Sequence, residues 1–206
     1  MRRIETKVKA FFVFFLFTYT ITMFLGTYSI SASIPNNVVS GYLSGNYVPQ
    51  AKTMWCWVAS AENACICESQ HYHTQYYAVN YLKGTSSDPY PNEGGNISET
   101  EWAVDVISSF NLNYIGVPNT KTFSFISEMI YNSNPVIADA GYYNSGNNRA
   151  GGHVVLIIGW FNAYGTQEIC YYDPASSGSY HTCLFSEFCN GSYNGRIYDR
   201  TCYFLS

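Results

Sequence analysis

The chain changes character at about residue 134, and that change restricts its fold more than any other feature. Before it, apolar residues are spread at helical spacing; after it, they come in short unbroken runs. Cys56 to about Cys67 is rich in Ala and apolar residues, with Ser60, Glu62 and Asn63 between them, and predicts a helix. Thr74 to Leu82 predicts a second, stopped by Gly84. Residues 84–96 are dense in Pro and Gly and read as a loop. Ser98 with Glu101 fits a capping box for a third helix over 102–110, and Ser124 to Tyr131 predicts a short fourth. Beyond residue 134 the runs Pro135–Asp139, Val154–Ile158 and Glu168–Tyr172 predict strands, the first two joined by a polar loop over 141–152. Helices first and strands second imply one α+β domain with its functional seam between the halves.

The first 33 residues stand apart. Arg2, Arg3, Lys7 and Lys9 precede an apolar run from Ala10 to about Gly26, and small residues follow at 29–33. A basic head, an apolar middle and small residues at the end predict a secretory signal peptide cleaved between Ser31 and Ile34. A membrane anchor is the weaker reading, because the run is near the lower limit for a bilayer span and is diluted by Thr18, Thr20 and Thr22. Without this segment the chain keeps six of its 10 basic and thirteen of its 14 acidic residues, a net charge of about −7. That balance excludes a basic nucleic-acid footprint and a basic membrane-binding face. The expected product is an exported protein of one domain, residues 34–206, with no stable membrane insertion.

Seven cysteines, Cys56, Cys65, Cys67, Cys170, Cys183, Cys189 and Cys202, remain in that product. In an oxidising compartment an odd count predicts three disulfides and one free thiol. Cys56 is the one with chemistry around it. A thiol catalyst needs a stabilised thiolate, a base, a group to orient the base, and donors for an oxyanion. A thiol at the start of a helix beside an imidazolium meets the first need. Among only four histidines, His153 follows Gly151-Gly152 and opens the most apolar strand in the chain. Asp173 ends the next predicted strand, and antiparallel pairing can set it beside His153. Gln50, six residues before Cys56, carries an amide able to donate to an oxyanion.

These residues carry a resemblance. Gln50, five intervening residues, Cys56-Trp57 and then Ala59-Ser60 resemble the active-site segment of papain-like cysteine proteases. His153-Val-Val-Leu-Ile-Ile-Gly159-Trp160 resembles their histidine strand. The Trp-Cys-Trp core, Gln75, Asn80 and Gly84, Asn134-Pro135-Val-Ile, and Asp173-Pro174 resemble the compact bacterial branch. That branch includes plant-pathogen effector proteases and, more distantly, leader peptidases of bacteriocin exporters. The similarity spans about residues 46–188. It implies a papain-like fold, with a helical N-terminal half packed against a C-terminal antiparallel sheet and the active site at the seam. It also implies a secreted endopeptidase without a cofactor, acting on protein or peptide. Cys56 would be nucleophile, His153 base and acid, Asp173 its orienter, and Gln50 with the Cys56 backbone N–H the oxyanion hole. The extra six cysteines and the tail beyond about residue 190 depart from the shared pattern.

Plainer readings stand beside these. Cys65-x-Cys67 with His71-x-His73 has zinc-like spacing, but two disulfide cysteines and two solvated histidines are expected instead. Cys183 and Cys189 are expected to crosslink near the C-terminus, and His181 to be a surface residue. The tyrosine excess is core and strand filling. Asn96-Ile-Ser and Asn190-Gly-Ser match glycosylation acceptors by chance. Rival functions are a transglutaminase-like acyltransferase or a peptidoglycan amidase using the same residue types, and a disulfide-rich binding module with an inert Cys56.

Overall fold

The structure is a computed structural model that describes residues 33–35, 37–85, 89–175, 177–192 and 194–205. The expected signal segment lies, but for its last residue, outside the described residues. After a short strand β1 (Ser40–Tyr42) come three helices, α1 (Cys56–Cys67), α2 (Gln75–Lys83) and α3 (Ile97–Ile107). Strand β2 (Tyr114–Val117) and helix α4 (Phe123–Tyr131) lead into β3 (Val136–Tyr143), β4 (Arg149–Ala163), β5 (Thr166–Asp173) and β6 (Ser179–Leu184). Helix α5 (Phe185–Asn190) and strand β7 (Ile197–Phe204) finish the chain.

All seven strands join one antiparallel sheet in the order β2-β7-β3-β4-β5-β6, with β1 beside the far end of β4. β4 is covered on both faces, which explains its unbroken apolar run. Val154, Leu156 and Ile158 pack with α1 and α3 through Trp57, Val58, Ala61, Val104 and Ile107. The alternate residues Val155 and Ile157 pack with Phe123, Ile126 and Ile130 of α4. α1 is therefore wedged between α3 and β4, and its start is left at the open edge of that seam.

Several boundaries differ from the sequence reading. The third helix begins at Ile97, capped by Asn96, whose side chain accepts from the Glu99 backbone N–H while Glu99 returns a bond to the Asn96 N–H. Glu101 is not a capping residue, because its carboxylate accepts from the Gly116 N–H at 2.8 Å. Most of the expected loop 141–152 is ladder: β3 pairs with β4 out to Tyr143 and Arg149. The tail beyond residue 190 contains β7, which lies between β2 and β3.

The disulfide expectation is corrected as well. All seven cysteines are free thiols. Cys65 and Cys202 are wholly buried in the apolar core, where a cysteine behaves as a small hydrophobe and needs no partner. Cys183 and Cys189 pack with the α4 side of the sheet and are not joined.

Candidate active site

Cys56 is the first residue of α1. The residue before it, Trp55, offers no side-chain cap, so the free N–H groups of the first turn are not consumed by a capping oxygen. The two flanking tryptophans are wholly buried and fix this start in place. Trp55 donates its indole N–H to the Pro91 carbonyl at 2.9 Å, and Trp57 donates to the Glu93 carbonyl at 3.1 Å. The Pro- and Gly-rich loop is thereby held as one wall of a cleft, with Gly94 and Gly95 facing in. A side chain at Gly95 would overlap the Trp57 ring.

β4 supplies the opposite wall. Leu156 lies opposite Tyr172, so Asp173, the last residue of β5, falls beside the stretch of β4 that runs on from His153. His153, 8% exposed, donates from Nε2 to Asp173 Oδ1 at 2.6 Å. That bond leaves Nδ1 to face the Cys56 thiol, with which the imidazole also interacts. Burial pulls the His153 pKa down, but the bonds with Asp173 and Cys56 outweigh it and push it up to about 9. For Asp173, burial is opposed by the imidazole and by the Ala175 N–H at 2.8 Å, and its carboxyl is held below its usual range.

Gln50 lines the same cleft. Its backbone N–H donates to the Pro174 carbonyl at 2.8 Å, tying it to the residue after Asp173. Its side-chain Nε2 gives one hydrogen to the Thr53 carbonyl at 2.8 Å and keeps one more. Cys56, His153 and Gln50 thus converge from three separate stretches of chain on one cleft of about 440 Å³, with Asp173 bonded to His153.

A charged group that the sequence reading missed forms the floor beside His153. Arg149 bonds Asp139, and it bonds Asp199 at 2.9 Å. Two irregularities in the sheet aim these side chains. One β-bulge makes Asp199 the extra residue between Tyr198 and Arg200 opposite β3, and another makes Ala150 extra beside Arg149. Gly141 and Gly152 face each other across β3 and β4, and a side chain on either would overlap the Arg149 guanidinium and its carboxylate partners.

The zinc-like residues do other work. Among the described residues no group of three or more His, Cys, Asp or Glu is placed to hold a metal ion. The Cys65 thiol donates to the Val104 carbonyl at 3.6 Å, His73 stacks on Tyr77, and His71 bonds Glu62 at 2.8 Å. His181 bonds Ser179 at 2.7 Å.

Comparison with known proteins agrees with this arrangement. A family profile described as "Peptidase_C39 like family" matches residues 42–198. No curated protein matches the sequence. Among solved structures, a putative C39-like peptidase from Bacillus anthracis is similar over 81% of this chain and 98% of its own, at 10% identity and a TM-score of 0.54. Digestive procathepsin L 3 of the Tenebrio molitor larval midgut is similar over 86% and 72%, at 14% identity and a TM-score of 0.51. A structure from work on the mite allergens Blo t 1 and Der p 1 is similar over 87% and 73%, at 11% identity and a TM-score of 0.51. At such identities these likenesses describe the fold, which is papain-like.

Proposed function

The chain belongs to the Peptidase_C39-like family and is a cysteine-type peptidase, and from that premise we propose that it is a secreted endopeptidase working through an acyl-enzyme on Cys56. The observation that carries this reading is the His153 imidazole, bonded to Asp173 through Nε2 and turned to Cys56 at the start of a helix, inside an open cleft. In the proposed cycle the Cys56 sulfur bonds to the scissile carbonyl carbon, and the carbonyl oxygen takes the negative charge. The Cys56 backbone N–H and the second hydrogen of Gln50 Nε2 receive that charge. The Nδ1 proton of His153 passes to the leaving amine as the C–N bond breaks. His153 then takes a proton from water, the resulting hydroxide attacks the thioester, and the thiolate departs. Asp173 holds the ring in the orientation that makes both proton transfers possible.

The export role rests on the basic head and apolar run of the first 33 residues. The substrate is a protein or peptide, and no step calls for a cofactor. The acyltransferase reading differs only in the acceptor, an amine in place of water. Fluorescent casein and a labelled primary amine, supplied together to purified protein, separate the two. Casein fragments that disappear with Cys56→Ala support hydrolysis; amine incorporation without cleavage would replace the proposal with acyl transfer. Neither activity would return the binding-module reading.

A further inference from the structure

The oxyanion role assigned to Gln50 depends on a chain segment, residues 48–51, that belongs to no helix or strand. Something else must hold it. Asn63, wholly buried on α1, accepts from the Val48 N–H at 2.7 Å and donates to the Val48 carbonyl at 2.9 Å. Gln75, at the start of α2 and 4% exposed, grips the peptide units on both sides of Gln50. Its Nε2 donates to the Pro49 carbonyl at 3.0 Å, and its Oε1 accepts from the Ala51 N–H at 2.9 Å. The side-chain amide thus takes the place that a neighbouring strand would occupy.

The amide has a fixed sense. Nε2 also donates to Glu62 Oε2 at 2.8 Å, and Glu62, 4% exposed, is bonded through its other oxygen to His71 at 2.8 Å. A carboxylate only accepts, so Glu62 compels Gln75 to present nitrogen inward and oxygen to Ala51. Rotated the other way, the amide would set oxygen against the Pro49 carbonyl and nitrogen against the Ala51 N–H, losing both bonds. Gln50 itself is anchored through one side-chain hydrogen, while its Oε1 is buried with no partner among the described residues. Its aim therefore follows the position of its backbone.

We propose that Gln75 and Glu62, with His71 behind them, are positioning residues for the oxyanion hole: they hold the peptide units flanking Gln50 and thereby set where its free N–H points. The proposal rests on the oxyanion role given to Gln50 above. None of the three residues touches the reacting atoms; each acts through the arm.

The test uses Gln75→Met, which keeps length and deletes all three bonds, and Glu62→Gln, which keeps shape but adds a donor against Gln75. Three quantities are read on each: kcat and KM for a peptide that the parent protein cleaves, the rate of Cys56 alkylation by iodoacetamide, and hydrogen exchange at the Ala51 N–H. Alkylation forms no oxyanion, so it reports the nucleophile without the arm. The expected result is kcat lower by about 10- to 100-fold, part of the loss seen when an oxyanion donor is removed outright. KM and the alkylation rate should stay within about twofold, and Ala51 should exchange faster. An unchanged kcat, or a parallel fall in kcat and alkylation, would overturn the proposal, the second outcome marking a general distortion of the site. If the parent protein is alkylated at Cys56 yet cleaves no peptide, hydrolysis is the reading that fails. Ala51 exchange then decides the clamp alone, with faster exchange in Gln75→Met upholding it and unchanged exchange refuting it. His71→Ala is a milder third variant, since that side chain is 36% exposed and its loss leaves Gln75 in place.

Discussion

Replacing Asp173 with alanine should move the alkaline limit of activity. An ordinary histidine titrates near 6.5, and burial pulls His153 lower still, but the Asp173 bond and the Cys56 contact bring it to about 9. That net rise corresponds to roughly 3 kcal/mol of preference for the imidazolium. Asp173 stands first among the influences that raise it, so its removal should lower the His153 value. The sign follows from the mechanism. The leaving amine takes its proton from the imidazolium, which persists below its folded-state value and is lost as pH climbs through it. The kcat/KM of the parent protein should therefore fall along a limb near pH 9, and that of Asp173→Ala along a limb at distinctly lower pH. The assay is peptide hydrolysis from pH 5 to 10 under initial-rate conditions. The maximum should also drop about 100-fold as the ring loses its orientation. A limb that stays within about 0.3 pH of the parent's would refute the claim that Asp173 holds the proton on His153.

Other outcomes follow from the same geometry. Burial lifts Cys67 and Cys189 to about 11 and Cys183 to about 12, and it raises Cys65, Cys170 and Cys202 as well. Iodoacetamide at pH 6 should accordingly label Cys56 alone, and His153→Ala should slow the labelling at least tenfold; peptide mapping showing any other cysteine first would contradict this. Glu68 is pushed up to about 7 by burial, only partly relieved by the Tyr114 hydroxyl. A carboxyl raised in the fold weakens it progressively above pH 4.5 and fully beyond pH 7. Glu68→Gln should thus add about 2 kcal/mol of stability at pH 8 and little at pH 4, as read by denaturant unfolding. Gly152→Ala drives a methyl group into the Arg149–Asp139 pair beside His153 and should cost about 1–3 kcal/mol of stability together with most of the activity. Unfolding and hydrolysis measured on one preparation would show either part to be wrong.

The candidate reacting groups could be named from the sequence because the chemistry restricts them to few residue types in a given order. Cys56 between two tryptophans, His153 opening an apolar strand and Asp173 before a proline are local signals, and the structure sets Cys56 and His153 in one cleft with Asp173 bonded to His153. What could not be read depends on contacts distant in sequence. Ser98…Glu101 and Asn96…Glu99 both satisfy a capping box, and the choice is made by Gly116 of β2, which engages Glu101. The segment 141–152 looked like a loop because it is rich in Gly and Asn, with Arg149, Gly151 and Gly152 lining a cleft, yet most of its backbone still forms a ladder. β7 (IYDRTCYF) has no apolar run, carries Asp199 and Arg200, and is interrupted by a bulge, so nothing along its own length marks a strand inside the sheet. Counting cysteines misled in another way: parity says nothing about thiols buried as ordinary core side chains. Glu62, Gln75 and His71 gave no signal as a set, since their relation exists only once α1 and α2 have packed.

The position of β7 also ties the cleft to a stretch of chain far from Cys56 in sequence. This strand is inserted between β2 and β3, and its Asp199 bonds Arg149 beside the histidine strand. The floor of the cleft thus rests on a strand that supplies none of the candidate reacting groups. A substitution along β7 can therefore reach the cleft through the Asp199–Arg149 pair without touching Cys56, His153 or Asp173.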